Sequence, residues 1–442
     1  MCAQCRPNKT SERVCVRLRL IIKIRHAIHL KMKTFIGFEE ALELTLANVI
    51  AGETEILAID QLTGKILSED VIAKVDSPSH ASSRKDGYAV ISADLSGATE
   101  KNPVKLEVLG QLSAGDVSNL QVNAGQAVRV TTGAPLPQGA NAVLSEEFCV
   151  RSANMITAGN LAEEDRNILQ RGTDIQQGQT VAQKGEKLAP ALIGLLAAAG
   201  VDKAAVHQAP KIAVIASGDE IVAPGKPLPE GKLYASNLVE ICSWLSFYGL
   251  AYQAVLVGDS HRDLKFAVKS RLSQADAFIT CGGAWGSERD LVLEVVEELK
   301  WNGIYRRVRM GPGKPVGFGL LKQKPFFILP GGPPSNEMAF LQLALPAIMK
   351  MKGEISFSFP LVRAQLAETV RGHKDWTQFI HARLEKEKNQ LIVKPSKLES
   401  RLISMARKEA LIIIPEGWEK WAAGEIIDIQ LLPPFGGYFE ID

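Results

Sequence analysis

Between Lys211 and Met349, three short apolar strands each run directly into a polar or glycine-rich turn, and this alternation constrains the chain more than any other feature. The first strand is Lys211-Ile-Ala-Val-Ile-Ala-Ser217, breaking at Gly218-Asp219-Glu220. A helical pattern from Asn237 to Tyr248 leads to the second, Ala251 to Val257, breaking at Gly258-Asp259-Ser260. An amphipathic stretch, Arg262 to Ser273, precedes the third, Ala277 to Cys281, which opens into Gly282-Gly283-Ala284-Trp285-Gly286-Ser287-Glu288-Arg289-Asp290. Strands of about six residues alternating with helices of about twelve indicate βαβ units and a parallel sheet buried on both faces. Ligands of such sheets bind in the crevice beyond the carboxyl ends of the strands. Glu220, Asp259 and Asp290 all fall just past such ends, so these carboxylates are expected to converge on one rim.

Two further loops belong to the same rim. Arg306-Arg307-Val308-Arg309-Met310 is a cationic strand ending in Gly311-Pro312-Gly313-Lys314-Pro315. Phe326-Phe-Ile-Leu-Pro330 runs into Gly331-Gly332-Pro333-Pro334-Ser335 at the start of a helix, Asn336 to Met349. Glycine lets backbone N–H groups approach an anion, and a helix N-terminus adds a favourable dipole. The combined chemistry is that of a phosphate-like ligand, a divalent cation held by hard oxygen ligands, and Lys/Arg neutralising further negative charge. A single glycine loop of this kind is ordinarily a turn that closes a sheet. Five at one edge point to a site.

The series Ala216-Ser217-Gly218-Asp219-Glu220, the glycine pair at Gly282, Met310-Gly311-Pro312-Gly313-Lys314-Pro315 and Leu329-Pro330-Gly331-Gly332-Pro333 resembles the molybdenum-cofactor-binding domain shared by MoeA, MogA and gephyrin. The flanking sequence narrows the resemblance to the MoeA type. Ser82-Ser83-Arg84-Lys85-Asp86-Gly87-Tyr88-Ala89-Val90 carries that family's DGYA. Thr131-Thr132-Gly133-Ala134-Pro135-Leu136-Pro137 is similar to its TGAPxP, and Asn167 to Ile175 to its NxRxxGxDI. Taken alone, Asp86-Gly87 reads as a tight turn.

The resemblance implies a multidomain α/β plus β chain: a central three-layer MogA-like domain with a mostly parallel sheet, an inserted β-rich domain, a helical and extended N-terminal domain, and a small C-terminal β-barrel. The expected boundaries are 34–75 with 176–208 for a linker and dimerisation domain, 76–175 for the insert, 209–353 for the molybdopterin-binding domain and 354–442 for the barrel. Short alternating strands at Leu361–Gln365, Phe379–Leu384, Leu391–Val393, Ala410–Ile414 and Glu425–Leu431 support the barrel independently. Phe35–Asn48 reads as an amphipathic helix with Glu39, Glu40 and Glu43 near its start, continued in the same style by Ile59–Glu69. Leu188–Ala199 resumes helical packing, and its face of Leu192, Leu195, Leu196 and Ala199 suits a core or a dimer interface.

The implied activity is an enzymatic step of molybdenum cofactor biosynthesis, a molybdopterin molybdotransferase: insertion of molybdate into adenylated molybdopterin, with hydrolysis of the adenylate and release of AMP. Carried over residue by residue, the metal ligands are Glu220, Asp259 and Asp290, holding Mg²⁺. Asp86, Thr132 and Asp174 act from the other subunit of a homodimer, and Arg307 and Lys314 complete the catalytic set. Pterin nucleotide and oxyanion contacts fall to Gly218, Asp219, Gly282, Gly283, Ser287, Pro315, Gly331, Gly332, Ser335, Ser400 and Ser404. A MogA-type adenylyltransferase is a candidate partner.

The chain also departs from the family. KPGKP is replaced by Gly311-Pro-Gly-Lys-Pro315, PGNP by Pro330-Gly-Gly-Pro333, and the residues after the two glycines by Ala284-Trp285-Gly286. An arginine expected before a C-terminal strand aligns near Trp376, with Lys374 the nearest cation. Lys grips an anion as a point charge and Arg bidentately, so an altered oxyanion site is expected. A non-catalytic pterin-binding or scaffold relative is therefore the alternative, followed by a tungstate insertase and a CinA-type nucleotide hydrolase.

Charge distribution narrows the partners. Met1–Lys33 holds nine Lys/Arg against Glu12 alone, so although the whole chain is at +2, the remainder stands at −6. A mildly acidic body gives no support to nucleic-acid binding. The leader contains Cys2, Cys5 and Cys15, half of the six cysteines, with no second CxxC to complete a zinc site. Its apolar run Leu18–Ile24 is broken by Arg19 and Lys23, which suits neither a signal peptide nor a membrane span. The basic leader 1–33 reads as disordered or as a start placed too far upstream, with Met32 or a nearby residue as the beginning, and an organelle-targeting peptide, lacking the usual serines, is the alternative. Cys149, Cys242 and Cys281 lie scattered in apolar contexts as reduced core thiols, pointing to the cytoplasm.

Overall fold

The computed structural model describes residues 32–282, 290–387, 390–396 and 400–433. The chain divides into two compact units: one takes the N-terminal part to Ile50, Ala209–Met351 and the part from Ser356 onward, the other Ala51–Gln208 with Lys352–Ile355.

The first unit is built on the Ile212–Ser217 strand, all of whose residues are buried. It lies between Tyr252–Val257 and Ala277–Cys281, parallel to both, and Ala277–Cys281 pairs in parallel with Lys324–Leu329. Successive side chains of a strand point to opposite faces, and here they enter two separate cores. Ile212, Val214 and Ala216 pack with Ile241 and Leu245 of helix Ser236–Phe247 and with the helical run from Pro333 to Met351. Ala213 and Ile215 pack with Leu264 and Val268 of helix His261–Arg271 and with Val292, Val295 and Val296 of helix Leu291–Glu298. The result is a three-layer α/β domain. Its edge is completed by Gly317–Leu321 and Asn302–Gly311, each antiparallel to its neighbour.

Helix starts follow local chemistry. Ser260 caps His261–Arg271 by accepting a hydrogen bond from the Asp263 N–H, while Lys269 and Arg271 occupy the last turn, where the dipole favours cations. The run Pro333–Ala339 passes through a π turn, Phe340–Ala344, into Leu345–Met351 and is buried on nearly every side, as its apolar composition requires.

Beyond it, Leu361–Leu366, Thr377–Glu387, Gln390–Pro395, Ala410–Ile414 and Ile426–Leu431 form a small β-barrel, closed by the pairing of Thr377–Glu387 with Ala410–Ile414. Closure removes the sheet edges. Short helix Arg401–Ala406, capped by Ser400, precedes the Ala410–Ile414 strand.

The second unit holds a six-stranded sheet in the order Ala142–Ser145, Gly87–Val90, Gln126–Val130, Val104–Leu112, Met155–Ala158, Cys149–Ser152. It also holds a small core under helix Pro190–Ala198, to which Leu196 and Ala199 contribute while Leu195 stays 38% exposed.

Two helical expectations need correction. The segment at Phe35 begins as strand Lys33–Gly37, paired in parallel with Asn302–Gly311, and turns helical only at Phe38–Ala47, because a free strand edge is available to it. Ile59–Glu69 is a single 3₁₀ turn, Ile59–Gln61, followed by extended chain whose Ile66 and Leu67 bridge to Lys187 and Val206. Gly64, at φ +74°, ends the turn. Among the described residues, no helix is long and apolar enough to cross a membrane.

Candidate functional site

The strand registers fix where the loops of the first unit go. Ser217 stands level with Val257, Ala216 with Cys281, and Cys281 with Leu329. The turns after Ser217, Val257, Cys281 and Leu329 therefore leave the sheet at the same edge. On the Asn302–Gly311 strand Arg306 is level with Gly317, and Gly317 with Ile328, so the Arg306–Pro315 segment rises at that edge too.

Close packing at this edge needs glycine. A Cβ on Gly282 would lie 2.9 Å from the Ser217 carbonyl oxygen, and its φ of +95° is left-handed. Gly331 comes against it, a Cβ there meeting Gly282 Cα at 3.7 Å. Gly283 and Ser287 lie outside the described residues.

Among the described residues, several buried polar atoms at this edge have no hydrogen-bond partner: Ser217 Oγ, Asn237 Oδ1, Asn336 Oδ1 and Asp290 Oδ2. The other ends of three of these groups are anchored. Asn237 Nδ2 donates to the Gly331 carbonyl at 2.8 Å, Asn336 Nδ2 to the Pro330 carbonyl at 2.7 Å, and Asp290 Oδ1 accepts from the Leu293 N–H at 3.1 Å as a helix cap. Buried polar groups without a partner are costly, and their clustering marks where a polar ligand satisfies them. Asn237 and Asn336 are not evident in the sequence because each reads as an ordinary residue near a helix start; an amide on an otherwise buried turn is the available signal.

The carboxylates arrange differently from expectation. Asp219, not Glu220, faces Asp259: Asp259 N–H donates to Asp219 Oδ1 at 3.0 Å, and Asp219 N–H to Asp259 Oδ2 at 3.3 Å. Glu220 folds back over Gly218, where an added Cβ would lie 2.5 Å from the Glu220 Oε2. Asp290 is engaged as a cap, and burial pushes its carboxyl upward against the pull of the Leu293 hydrogen bond and Arg306. Among the described residues, no group of three or more His, Cys, Asp and Glu is gathered closely enough to hold a metal ion, so Glu220, Asp259 and Asp290 form no closed cage. Mg²⁺ characteristically takes one or two carboxylates, keeping waters and substrate phosphates for the rest, and the Asp219–Asp259 pair supplies hard oxygens of that kind.

The cationic side is equally specific. Arg307 has φ +58° and its N–H donates to the Val316 carbonyl at 2.8 Å. Lys314 is exposed in the adjoining loop with Pro315. Its Nζ lies 5.3 Å from the Trp376 ring centre and 5.5 Å from that of Phe35. At the Pro330-Gly331-Gly332 turn the helix begins with Pro333 and Pro334, which have no N–H, leaving the glycine and Ser335 amides as backbone donors. Ser400 Oγ accepts from the Ile403 N–H at 3.4 Å, which occupies it as a helix cap, and Ser404 is buried one turn on.

In the second unit, Asp86 and Thr132 come together. Thr132 donates to Asp86 Oδ1 through its N–H at 2.7 Å and its hydroxyl at 2.9 Å, and those bonds, the backbone one foremost, hold the Asp86 carboxyl below its ordinary value. Gly87 follows because a Cβ there would lie 2.1 Å from the Leu144 carbonyl oxygen, and Tyr88 is fully buried. Asp174 is exposed in the next loop, its N–H donating to the Ser77 carbonyl at 2.9 Å. Beside it, Gln177 N–H and Arg171 hold Asp76 at 2.7 and 2.6 Å.

Comparison with known proteins agrees across the chain. Residues 36–200 match the MoeA N-terminal region (domain I and II), 213–350 the probable molybdopterin binding domain, and 363–432 the MoeA C-terminal region (domain IV). The chain is 31% identical over 420 residues to a putative molybdopterin biosynthesis protein of Methanocaldococcus jannaschii, covering 92% of this chain and 99% of that one. It is 32% identical over 310 residues to the molybdopterin molybdenumtransferase of Haemophilus influenzae, covering 70% and 75% of the two chains. The crystal structure of the molybdopterin biosynthesis MoeA protein of Pyrococcus horikoshii superposes with a TM-score of 0.79 at 29% identity, over 91% of this chain and all of that one. With its three regions matched in order and a relative matched over nearly its whole length, this chain belongs to the MoeA family.

Proposed function

We propose that the chain is a molybdopterin molybdenumtransferase, inserting molybdate into adenylated molybdopterin with hydrolysis of the adenylate and release of AMP. The observation that carries this reading is the set of buried polar atoms with no partner among the described residues, Ser217 Oγ, Asn237 Oδ1, Asn336 Oδ1 and Asp290 Oδ2, beside the Gly331-Gly332 turn, where Gly332 faces open space. Relatives named for this activity support it.

In this reading the turn at Gly331 and Gly332, with Gly282 packed against it, receives the pterin phosphate through backbone N–H groups and Ser335 adds a hydroxyl, while Gly218, whose N–H donates to the Val257 carbonyl beneath the Glu220 carboxylate, shapes the neighbouring turn. Asp219 and Asp259, aided by Glu220 and Asp290, would hold Mg²⁺, which would supply positive charge to neutralise the phosphate. Arg307 and Lys314 with Pro315 fix the oxyanion, and Ser400 and Ser404 border it. Fixed charges and donors of this kind stabilise developing charge without reorganisation. Asp86, Thr132 and Asp174 act from the partner copy of a homodimer. Asp86 suits that role because its two bonds from Thr132 keep it ionised and oriented.

We assign the four-part division at 34–75 with 176–208, 76–175, 209–353 and 354–442, and a cytoplasmic location. Burial of Cys242 and Cys281 and partial burial of Cys149 support the latter, since desolvation pushes their thiols up to about 11, 12 and 12 respectively and away from the reactive thiolate. A MogA-type adenylyltransferase is the partner that supplies the nucleotide.

The test is AMP release from adenylated molybdopterin by purified protein with Mg²⁺ and molybdate, tungstate or neither. Oxyanion-dependent AMP release with metal appearing in the pterin is expected. Tight nucleotide binding with no AMP release would replace the insertase by a scaffold.

A further inference from the structure

Two cations stand over the ring of Phe35, and they are not equivalent. The Arg309 guanidinium, 5.9 Å from the ring centre, is fully engaged: it donates to the Phe35 carbonyl at 2.9 Å, the Asp375 carbonyl at 3.2 Å and the Glu416 carboxylate at 2.6 Å. Lys314, 5.5 Å from the same ring and 5.3 Å from that of Trp376, makes no ion pair among the described residues. Phe35 and Trp376 meet edge to face at 5.6 Å, so the ammonium is shared by a rigid two-ring corner. Ring faces attract a cation without consuming its N–H donors as a carboxylate does. Lys314 is thus held in place with its charge and donors still available to an anion.

The backbone is bent to make this corner. Strand pairing runs Thr34 with Arg306 and Ile36 with Val308, and the two residues between, Phe35 and Arg307, both have left-handed φ, +59° and +58°. For a bulky residue this conformation is an outlier that persists only where its surroundings enforce it, and such residues gather at functional sites. Phe35 nevertheless remains 42% exposed, its ring covered by cations rather than by core. Trp376 is delivered by the short parallel pairing of Met310 with Thr377, the residue after it.

We propose that Phe35 and Trp376 are positioning residues that seat the Lys314 ammonium at the anion-binding edge and so set the affinity for the oxyanion. This rests on the insertase reading for the identity of the anion. Oxyanion recognition then depends on one pre-placed charge over aromatic surface, with Arg309 serving only to brace Phe35.

The experiment measures AMP release against molybdate concentration, alongside calorimetric molybdate binding, for wild type, Phe35→Ala, Trp376→Ala, Trp376→Phe, Lys314→Ala and the Trp376→Ala/Lys314→Ala double variant. Trp376→Ala is expected to raise the molybdate KM roughly tenfold and to weaken binding equally, with kcat within about twofold. Trp376→Phe should restore most of the loss, and Trp376→Ala should add nothing in the Lys314→Ala background. Phe35→Ala and Trp376→Phe, which retain one ring or both, keep the test open if Trp376→Ala does not fold. Unchanged molybdate affinity in Phe35→Ala and Trp376→Ala, or effects of Trp376→Ala and Lys314→Ala that multiply, would overturn the seat. Molybdate binding with this dependence but no AMP release from wild type would uphold the seat and refute the insertase; no molybdate binding by wild type would refute the seat.

Discussion

Thr132 grips Asp86 twice, donating both its backbone N–H, at 2.7 Å, and its hydroxyl, at 2.9 Å, to the single oxygen Oδ1. Among the described residues no hydrogen bond engages the other carboxylate oxygen, which suits a substrate or an ion. Charge-assisted bonds of this kind fix orientation and favour the ionised form.

Replacing Asp86 by Asn keeps an acceptor for Thr132 but removes the charge. AMP release should fall more than about tenfold while the melting temperature hardly moves, because the site is exposed and a surface substitution changes stability little. Thr132→Val retains the backbone bond and should cost only a few-fold. Equal losses in the two variants, read in the same AMP assay, would remove the charge from the account.

Asp290 is both a helix cap and a half-buried carboxylate whose buried Oδ2 has no partner among the described residues. Asn preserves the cap and Ala does not, so Asp290→Ala should lose about 1 kcal/mol of stability that Asp290→Asn keeps. Both should lose Mg²⁺-dependent AMP release. Denaturant unfolding beside a Mg²⁺ titration separates the two roles, and an active Asp290→Asn protein would assign the residue to the cap alone.

A buried polar cluster joins the α/β domain to the barrel within the first unit. Lys408 pairs with Glu337, His381 Nε2 lies 4.0 Å from Glu337 Oε2, and Glu240 shares a cavity of about 360 Å³ with Glu337, Lys408 and Trp244. Glu337 is 1% exposed, so Lys408→Ala would leave a carboxylate buried and unpaired, a loss of about 3–5 kcal/mol. Adding Glu337→Gln should recover much of it. If urea unfolding gives additive changes for the two substitutions, the pair is not coupled.

The same cluster predicts a pH dependence. Burial first, then the Glu337 charge, pushes Glu240 up to about 9; burial and Lys408 push His381 down to about 4. Between the ordinary carboxylate value and about 9 the folded state holds a proton on Glu240 that the unfolded chain releases, so this contribution to stability declines as pH rises through that window. His381 acts oppositely: the unfolded chain binds a proton between about 4 and the ordinary imidazole value, so its contribution is lost as pH falls there. The two oppose each other below about pH 6.5, and above it only Glu240 operates, lowering stability toward pH 9. Thermal melts of Glu240→Gln should show a stability advantage over wild type that widens from pH 6.5 to 9. A constant difference across that range would mean Glu240 is ionised in the folded protein.

Much of this protein is legible from its residues because two kinds of signal are local. The uninterrupted apolar run of Ile212–Ser217 requires a strand covered on both faces, and each following glycine or aspartate requires a turn. The motif order then identifies the family, and the alternation of short strands after Leu361 anticipates the barrel. What is not legible depends on partners distant in sequence. Lys33–Gly37 is a strand because Asn302–Gly311 offers an edge, which no window around Phe35 contains. Glu220 and Asp219 are adjacent, so sequence cannot tell which faces Asp259; the reciprocal hydrogen bonds between strand ends choose Asp219. Likewise Trp376 reads as a missing arginine, and only the approach of two loops shows its ring beneath Lys314. Periodicity and turn chemistry fix what each segment is and which edge its loop leaves, whereas side-chain pairing across that edge is set by tertiary packing, where every contact joins residues that the sequence keeps far apart.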